Sequence, residues 1–372
     1  MIERALLSVL KGRLFGQKAI VIMGARQTGK TTLIKQLTGE QKDVLWLNAD
    51  SAIVRQQLEN LSVAKWASII GKSKIVVIDE AQRIEDIGLK AKLFVDNFTD
   101  IQLILTGSSS FELSNKINEP LTGRKWEYQL FPLSFGELRD SNGLIAELEN
   151  LPVRLVYGSY PDVINNKADA KEILTLITDS YLYKDVLEWE RIKKPDKLVK
   201  LLQALAYQVG NLVTFSEIGQ LVGLDNETVE KYIVLLEQAR VVFRLGSYSR
   251  NLRNELKFSR KIYFYDNGVR NALINNFTDI DLRSDNGALW ENWIVSEFRK
   301  KNCYAGNYVS SYFWRTTDKK EIDCLEESNG VLKAYEFKWN PKKKSRQPSS
   351  FRDSYLDTEI ITINPMNFYE YL

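Results

Sequence analysis

Gly24-Ala-Arg-Gln-Thr-Gly-Lys-Thr31 matches the GxxxxGK[ST] pattern of a phosphate-binding loop in full. The apolar run Ala19-Ile-Val-Ile-Met23 precedes it, and a helix-compatible stretch, Thr32-Leu-Ile-Lys-Gln-Leu37, follows it. We therefore expect a strand, a tight loop and a helix in the order that a nucleotide site requires. The glycines allow a backbone ring whose amide groups point inward, and the start of the helix adds the positive end of its dipole. This context predicts that the chain binds ATP or GTP.

The residues of this loop have separate expected roles. The mobile ammonium group of Lys30 would reach the outer phosphates, and the hydroxyl of Thr31 would hold magnesium. Arg26 could contact phosphate or a partner, or it could face solvent. The residues expected around the nucleotide are Gly24, Ala25, Arg26, Gln27, Thr28, Gly29, Lys30, Thr31 and Thr32.

A second apolar run ends in two carboxylates. Lys74-Ile-Val-Val-Ile-Asp79-Glu80 has the β-branched composition of a parallel strand that is buried on both faces. The carboxyl end of such a strand opens on the ligand crevice. We expect Asp79 to hold the water shell of magnesium. We expect Glu80 to orient a water molecule toward the γ-phosphate and to take its proton.

The first 150 residues alternate strands with helices, which indicates a doubly wound parallel α/β fold. Strands are expected near residues 19–23, 43–48, 74–78 and 101–105, with helices from residue 30, near 51–69 and near 87–97. A polar side chain at the carboxyl end of the fourth strand would lie between the two central strands. Thr106 or Ser108 is therefore expected to sense the γ-phosphate.

An arginine downstream of the fourth strand is a candidate for catalysis between subunits. Arg124 could reach the γ-phosphate of a neighbouring subunit and stabilise the charge of the transition state, as arginine fingers do. The alternative is a surface arginine that pairs with the nearby Glu127.

The composition narrows the class of protein. The chain has 372 residues, enough for two or three domains of about 100–200 residues each, and its 44% hydrophobic and 27% charged content is typical of globular proteins. No apolar run approaches the roughly 18 residues of a membrane span, and the first residues lack the organisation of a signal peptide. The two cysteines, Cys303 and Cys324, fit a reducing compartment, so we expect a cytoplasmic protein with no membrane partner.

The chain has no histidine. Ser-His-Asp hydrolysis and histidine-metal centres are thereby excluded, so any hydrolysis must rely on carboxylates, lysine and hard metal ions. The net charge of +3 does not by itself indicate nucleic-acid binding, which would have to come from local patches.

The middle of the chain has the pattern of a winged helix. Residues 151–195 look helical and are interpreted as a lid or linker, and residues 196–270 give amphipathic helices followed by a strand pair. The helix that would read DNA bases carries more acidic than basic side chains. DNA contact is therefore expected through the phosphate backbone and a basic wing, unless the module is purely structural. This basic wing comprises Arg244, Arg250, Arg253, Lys257, Arg260 and Lys261.

A hairpin is expected near the C-terminus. Ser328-Asn-Gly330 separates two alternating runs, and Asn-Gly in this position is a strong signal for a two-residue turn. Counting outward from the turn places Asp323 opposite Glu336, and Glu321 opposite Lys338. Directly opposed carboxylates, with Cβ atoms about 5 Å apart, destabilise a hairpin unless something offsets their charge.

A divalent cation would offset these carboxylates. Oxygen ligands at this separation suit magnesium or manganese, and Lys338 could orient a nucleophilic water or steady a departing phosphate. The alternative is a solvated face with an ion pair between Glu321 and Lys338 and no metal.

The chain resembles a family of bacterial and archaeal AAA-type P-loop ATPases whose C-terminal domain of unknown function, numbered 4143, has a restriction-endonuclease-like core. The resemblance covers nearly the whole length. It is carried by Gly24 to Thr31, Val77-Ile-Asp-Glu-Ala-Gln82, Leu105-Thr-Gly-Ser-Ser109, Leu121-Thr-Gly-Arg124, Pro132-Leu-Ser-Phe-Gly-Glu137, Asp266 and Gly268, Trp290-Glu-Asn292, Glu321-Ile-Asp323 and Glu336-Phe-Lys338.

The resemblance implies the domain order and a second site. An AAA-type ATPase domain would occupy residues 1–150, followed by the lid or linker, the winged-helix module and an α/β restriction-endonuclease-like domain at 271–372. The family likeness favours ATP over GTP and implies ATPase activity, homo-oligomers and a link to DNA transactions or defence. It also implies a metal site of the D…ExK type, formed by Glu291, Asp323, Glu336 and Lys338.

Three functions follow as hypotheses. The first is a magnesium-dependent ATPase whose nucleotide state rearranges the winged-helix and nuclease-like domains, in processes associated with DNA. The second is an ATP-gated, metal-dependent nuclease. The third is a non-enzymatic scaffold that binds nucleotide and holds a protein partner.

Overall fold

A computed structural model describes residues 2–39, 41–107, 113, 116–180, 195–248, 260–316, 318–343, 348–356 and 358–372. The chain divides into two compact units, Met1–Leu133 with Gln238–Arg240, and Ser134–Glu237 with Val241–Leu372. The expected domain boundaries at residues 150, 195 and 270 stay predictions. Four residues with expected roles, Ser108, Arg250, Arg253 and Lys257, lie outside the described residues.

The first unit is built on a parallel sheet. Strands β1 to β5 are Ala19–Gly24, Val44–Asn48, Ile75–Asp79, Gln102–Gly107 and Lys125–Leu130, and helices α1 to α5 are Leu6–Lys11, Lys30–Thr38, Ala52–Gln57, Val63–Ile70 and Ile87–Asn97. In the described part of this unit the five strands follow the order β2-β3-β4-β1-β5, and every neighbouring pair is parallel. The predicted parallel α/β fold is confirmed. β4 lies between β1 and β3, as the expected sensor position requires.

The sheet buries its three central strands completely, and this explains their composition. Every residue of β1, β3 and β4 is buried, so both faces must be largely apolar, and β1 and β3 read as nearly continuous apolar runs. Trp66 of α4 and Phe94 of α5 meet edge to face on one side, with ring centroids 5.1 Å apart. The rigid central strands hold the loops at their carboxyl ends in fixed positions.

Two elements of this unit differ from the sequence-based expectation. β5 was not expected, although Lys125-Trp-Glu-Tyr-Gln-Leu130 alternates polar and apolar residues as an edge strand does. The helix expected at 51–69 was wrong as a single element, because the chain forms α3 and α4 instead. Asn60 adopts a positive φ of 46° between them, and the side chain of Ser62 accepts a hydrogen bond from the amide of Lys65 to begin α4.

The second unit combines helices with a mixed sheet. Strands β6 to β12 are Leu212–Val213, Val242–Ser247, Arg260–Phe264, Ser310–Arg315, Glu321–Ser328, Val331–Phe337 and Ile360–Ile363. Helices α6 to α16 are Phe135–Asn142, Leu144–Glu149, Leu151–Tyr157, Pro161–Asn165, Ala170–Ser180, Pro195–Tyr207, Phe215–Val222, Asn226–Gln238, Asn267–Leu273, Asn286–Tyr304 and Ser349–Ser354. Among the described residues no helix has both the length and the apolar character that a membrane span needs.

One sheet runs through the segments expected to form separate modules. In the described part of the second unit its order is β12-β11-β10-β9-β7-β8-β6. β7 pairs antiparallel with β8 and parallel with β9, which joins the strand pair of the expected winged helix to the C-terminal strands. The elements α11, β6, α12, α13, β7 and β8 come in the order that a winged helix requires, and the winged-helix assignment itself stays a prediction.

The expected hairpin register is confirmed next to the turn. Ser328 pairs with Val331 and Cys324 pairs with Tyr335, as counting from Asn-Gly predicted. Beyond Cys324 the register of β10 against β9 shifts between Ile322 and Leu325. At this irregularity the side chain of Asp323 accepts a hydrogen bond from the backbone amide of Phe337, at 2.7 Å.

A motif that carried the family resemblance holds the second unit together. The buried carboxylate of Asp266 accepts hydrogen bonds from the amides of Ser159 and Val269, at 2.7 and 3.2 Å, and so begins α14 while fixing the turn before α9. Gly158 lies so close that an added Cβ atom would sit 2.0 Å from Asp266 Oδ1, and its φ of 70° favours glycine. The amide of Phe264 donates to the buried Asn292 at 2.7 Å. These motif residues therefore have structural roles.

The ion pairs of Asp285 stabilise this unit, and this stabilisation is lost at acid pH. Its carboxylate bonds Arg270 and Arg283, each at 2.7 Å, and both arginines are buried. Burial alone would raise the pKa of Asp285, but the hydrogen bonds from Arg283 and Arg270 outweigh it and lower the pKa to about 2. Because the folded-state pKa lies below the usual value of 3.8, the stabilisation is complete above that pH and is lost as the pH falls through about 2.

We expect the Asp285→Asn variant to unfold at a lower temperature than the parent chain at pH 6. The difference between the two melting temperatures should shrink steadily between about pH 4 and pH 2, because protonation removes the same charge from the parent chain. Thermal unfolding followed by circular dichroism across this range measures it. A difference that stays constant down to pH 2 would contradict the assignment.

Candidate functional site

The phosphate-binding loop follows β1 at the carboxyl edge of the sheet of the first unit. Gly24 pairs with Leu130 of β5, and an added Cβ atom on Gly24 would lie 2.3 Å from the carbonyl oxygen of Leu130. Only glycine fits where these strands approach so closely. Lys30 begins α2, and its buried ammonium group donates hydrogen bonds to the carbonyl oxygens of Gly24 and Ala25, at 2.7 and 2.9 Å. The lysine therefore lies along the inside of the loop.

Asp79 connects three elements at this edge of the sheet. Its Oδ2 accepts a hydrogen bond from the hydroxyl of Thr31 at 3.1 Å, and its Oδ1 accepts one from the hydroxyl of Thr106. The carboxylate is 8% exposed. The expected magnesium residues Thr31 and Asp79 are thus adjacent, and Thr106 lies beside them at the end of β4.

Glu80 is held in an unusual backbone conformation. Its φ of 54° lies in the left-handed region, which few residues other than glycine adopt and which is often retained at functional sites. Its amide donates to the hydroxyl of Thr106 at 3.1 Å, and its carboxylate accepts a hydrogen bond from the side-chain amide of Gln82 at 2.5 Å. The hydrogen bond from Gln82 holds the carboxylate in place.

Sequence reasoning missed Arg4, which braces the phosphate-binding loop. The guanidinium group of Arg4 is buried and donates to the carbonyl oxygens of Thr28 and Phe131, at 2.6 and 2.7 Å. It therefore ties the loop to the end of β5. The usable signal was an arginine between the apolar residues Ile2 and Leu6, just before α1, where a charged residue needs a specific partner.

The other residues expected at the nucleotide differ in exposure. Thr28 is buried, Arg26 is half-buried, and Gln27 and Thr32 are exposed. Their contacts with nucleotide stay predictions.

Arg124 lies at the opposite end of the sheet from the phosphate-binding loop, because it directly precedes β5, which runs parallel to β1. Its Nε bonds Asp96 Oδ1 at 2.6 Å, and both side chains are partly exposed. Glu127, the partner expected in the alternative, pairs with Lys125 instead. An arginine in this position cannot serve the phosphate-binding loop of its own chain, so its role as an arginine finger requires a second subunit and stays a prediction.

The C-terminal carboxylates form a second cluster. One of them, Glu291 of α15, accepts hydrogen bonds from other side chains of the protein. Glu291 Oε1 accepts hydrogen bonds from the ammonium group of Lys261, at 2.8 Å, and from the hydroxyl of Tyr263, at 2.6 Å. Burial raises the pKa of Glu291, Lys261 lowers it, and Asp323 raises it again, with a net shift upward. Lys261 also bonds Glu321 Oε1 at 2.5 Å.

Lys338 reaches the other two carboxylates of the cluster. Its ammonium group lies 2.6 Å from Glu336 Oε2 and 3.6 Å from Asp323 Oδ2. Burial and the nearby Asp323 raise the pKa of Glu336 to about 7. Glu321 pairs with Lys261 and Arg315 and not with Lys338, so the alternative ion pair is replaced by a wider network. The residues expected at the second site are therefore close together in space.

In this structure these carboxylates are bonded to donors of the chain itself, and the expected metal site stays a prediction. Magnesium demands several oxygen ligands at about 2.1 Å in octahedral geometry. Glu291 Oε1 is already taken by Lys261 and Tyr263, and Asp323 Oδ2 is taken by an amide and an ammonium group. Within the described ranges no three acidic or cysteine side chains are grouped closely enough to hold a metal ion.

The described part of the basic wing is largely neutralised. Arg244 bonds Glu237 at 2.5 Å, and Arg260 lies 3.6 Å from Glu230. Lys261 is 1% exposed and faces the C-terminal carboxylates. A phosphate backbone could be reached by Arg244 and Arg260 only in competition with these glutamates.

Comparisons with known proteins agree with the P-loop architecture. Family models match at residues 16–139, described as an AAA domain, at 148–280, a domain of unknown function (DUF8612), and at 286–368, a domain of unknown function (DUF4143). An uncharacterized protein of Haemophilus influenzae is 30% identical over 279 residues, 68% of each chain. An uncharacterized protein of Methanocaldococcus jannaschii is 24% identical over 379 residues, 95% of this chain and 82% of that one.

Among solved structures, the Walker-type ATPase of Pyrococcus abyssi superposes with a TM-score of 0.52 at 16% identity, over 74% of this chain and 96% of that one. At this identity the likeness shows the fold alone, which is that of a P-loop NTPase. The AAA model and the DUF4143 model match successive parts of the same chain, as the motifs predicted. The chain therefore belongs to the family of AAA-type P-loop ATPases that carry a C-terminal DUF4143 domain.

Proposed function

We propose that the chain is a magnesium-dependent ATPase that uses ATP binding and hydrolysis to rearrange its winged-helix and nuclease-like parts, in processes associated with DNA. One observation carries the proposal. The carboxylate of Asp79 accepts hydrogen bonds from Thr31 and Thr106 at the edge of the sheet where Lys30 lines the phosphate-binding loop. These are the groups that phosphoryl transfer needs, and they come from three neighbouring elements.

Each of these residues has a defined task. The ammonium group of Lys30 exchanges the carbonyl oxygens of the loop for phosphate oxygens when ATP binds. Thr31 and Asp79 supply hard oxygen donors 3.1 Å apart, which suits magnesium. Magnesium, when bound, neutralises charge that develops on the transferred phosphoryl group. Glu80 releases the amide of Gln82, orients water and takes its proton, and the hydroxyl of Thr106 detects the γ-phosphate.

The continuous sheet of the second unit shapes the proposed movement. β7 and β9 are bonded to each other, so the expected winged helix and the expected nuclease-like domain share backbone hydrogen bonds. A rearrangement driven by nucleotide would carry both parts together. The sheet supports this form of the proposal over one in which the two modules separate.

The test is ATP turnover measured with and without magnesium, and then with added double-stranded DNA, single-stranded DNA or RNA. We expect hydrolysis to require magnesium. We also expect one nucleic acid to stimulate it, with a stimulation that weakens as salt rises, because phosphate contacts release counterions. Calorimetry that registers no ATP binding would remove the proposal, and turnover unaffected by any nucleic acid would remove its DNA part.

Arg4 should affect ATP affinity through the loop that it braces. We expect Arg4→Met to raise the KM for ATP about tenfold with a smaller change in kcat, because a hydrogen bond from a charged group contributes about 1.5–3 kcal/mol. Steady-state ATP hydrolysis measures both constants. Arg13→Met is the matched control, because the guanidinium of Arg13 stacks on Trp126, 4.2 Å from the ring centroid. Equal effects of the two variants would contradict the role of Arg4.

A further inference from the structure

Lys261 is a charged side chain in the interior of the second unit. It belongs to β8, is 1% exposed, and its ammonium group contacts Glu291 at 2.8 Å and Glu321 at 2.5 Å. Glu291 comes from α15 and Glu321 from β10, so one ammonium group joins three elements. The ring of Phe313 lies beneath it, with the centroid 5.7 Å from the nitrogen.

A lysine buried to this degree stays charged only when opposite charges surround it. The carboxylates of Glu291 and Glu321, 2.8 and 2.5 Å from the ammonium nitrogen, supply those opposite charges. The side chain is therefore an ammonium ion at neutral pH. It supplies positive charge at the place where the carboxylates of α15 and β10 converge.

The remaining charges of the cluster are also matched within the protein. Lys338 lies between Glu336 and Asp323, and Arg315 bonds the second oxygen of Glu321 at 2.6 Å. Four carboxylates thus face three cations of the chain itself. The cluster borders a cavity of about 830 Å³ that Glu291, Asp323 and Lys338 help to line. Lys261 lies behind this lining, out of solvent.

We propose that Lys261 is a resident cation that takes the place of a divalent metal in this cluster. Its ammonium group neutralises Glu291 and Glu321 directly, where a metal ion would otherwise be needed to relieve their repulsion. The cluster is then permanently assembled without metal, and it links β8 of the expected winged helix to the C-terminal domain. This inference concerns the second unit alone and does not depend on ATP hydrolysis.

The experiment is manganese binding to the full chain without nucleotide, measured by calorimetry and by electron paramagnetic resonance of Mn²⁺. We expect the parent chain to lack any Mn²⁺ site that depends on Asp323. Its Mn²⁺ binding should therefore be the same before and after the substitution Asp323→Asn. Lys261→Met, which keeps the length of the side chain without its charge, should gain one Mn²⁺ site, and adding Asp323→Asn should abolish it. Lys333→Met is the matched control on the exposed side of β11 and should gain no site.

Two outcomes would overturn the proposal. One is a Mn²⁺ site in the parent chain that Asp323→Asn eliminates. The other is a folded Lys261→Met variant that gains no such site. If Lys261→Met does not fold, the melting temperature of the parent chain decides: it should be the same in EDTA and in MnCl₂, and a rise with Mn²⁺ that Asp323→Asn cancels would overturn the proposal.

Discussion

Replacing Glu80 with glutamine should lower the rate of ATP hydrolysis by about 10²–10⁴-fold, the usual contribution of a positioned general base. The amide keeps the shape of the side chain and can still bond Gln82, but it cannot accept a proton from water. Binding of ATP should change little, because the phosphates are held by the loop and by Lys30. Hydrolysis is measured as phosphate release at saturating ATP, and binding is measured by calorimetry.

Two further variants separate the base from the loop. Lys30→Ala should abolish turnover by removing phosphate contacts, and it should weaken ATP binding as well. Glu85→Gln is the matched control, because Glu85 is exposed and lies just beyond the same turn, so it should hydrolyse ATP at the parent rate. Turnover at the parent rate in Glu80→Gln would transfer the role of base to another residue. Turnover at the parent rate in both Glu80→Gln and Lys30→Ala would remove the proposed ATPase itself.

The nucleotide-binding part of the fold could be predicted because its signals are local. A buried parallel strand must be apolar on both faces, and the phosphate-binding loop must directly follow one such strand. The run that ends at Asp79 satisfies the first condition. Gly24 to Thr31 satisfies the second, because it directly follows an apolar run. The hairpin at Ser328-Asn-Gly330 was equally accessible, since the turn itself sets the register of its first pairs.

The C-terminal cluster could not be predicted in the same way, because its partners are distant in sequence. Lys261 meets residues 30 and 60 positions further along the chain, and nothing local to β8 shows that its lysine points inward. Counting from the hairpin turn placed Asp323 opposite Glu336, but it could not show that β10 is irregular against β9 between Ile322 and Leu325, or that Asp323 accepts a hydrogen bond from the amide of Phe337. The basic residues near Lys261 read as a surface patch, and only the fold shows that this one is an internal counterion.

The ion pair between Arg154 and Glu147 is buried, as Lys261 is. Breaking this pair is the change for which we expect the largest loss of stability. Arg154 of α8 donates two hydrogen bonds to Glu147 of α7, at 3.0 and 2.9 Å, and both side chains are almost fully buried. Burial raises the pKa of Glu147, but Arg154 and Asn142 outweigh it and lower the pKa. The carboxylate is therefore charged at neutral pH and depends on this arginine.

Arg154→Met should destabilise this part of the second unit by about 3–5 kcal/mol, because it leaves a buried carboxylate without its counterion. Adding Glu147→Leu should recover most of that loss, since removing both charges of a buried pair costs far less than removing one. Hydrogen exchange of the amides in α7 and α8 reports the local free energy of opening. Arg139→Met, at the exposed pair with Asp140, is the matched control and should cost no more than about 1 kcal/mol. A double variant as unstable as Arg154→Met would show that packing of the arginine, and not its charge, stabilises the two helices.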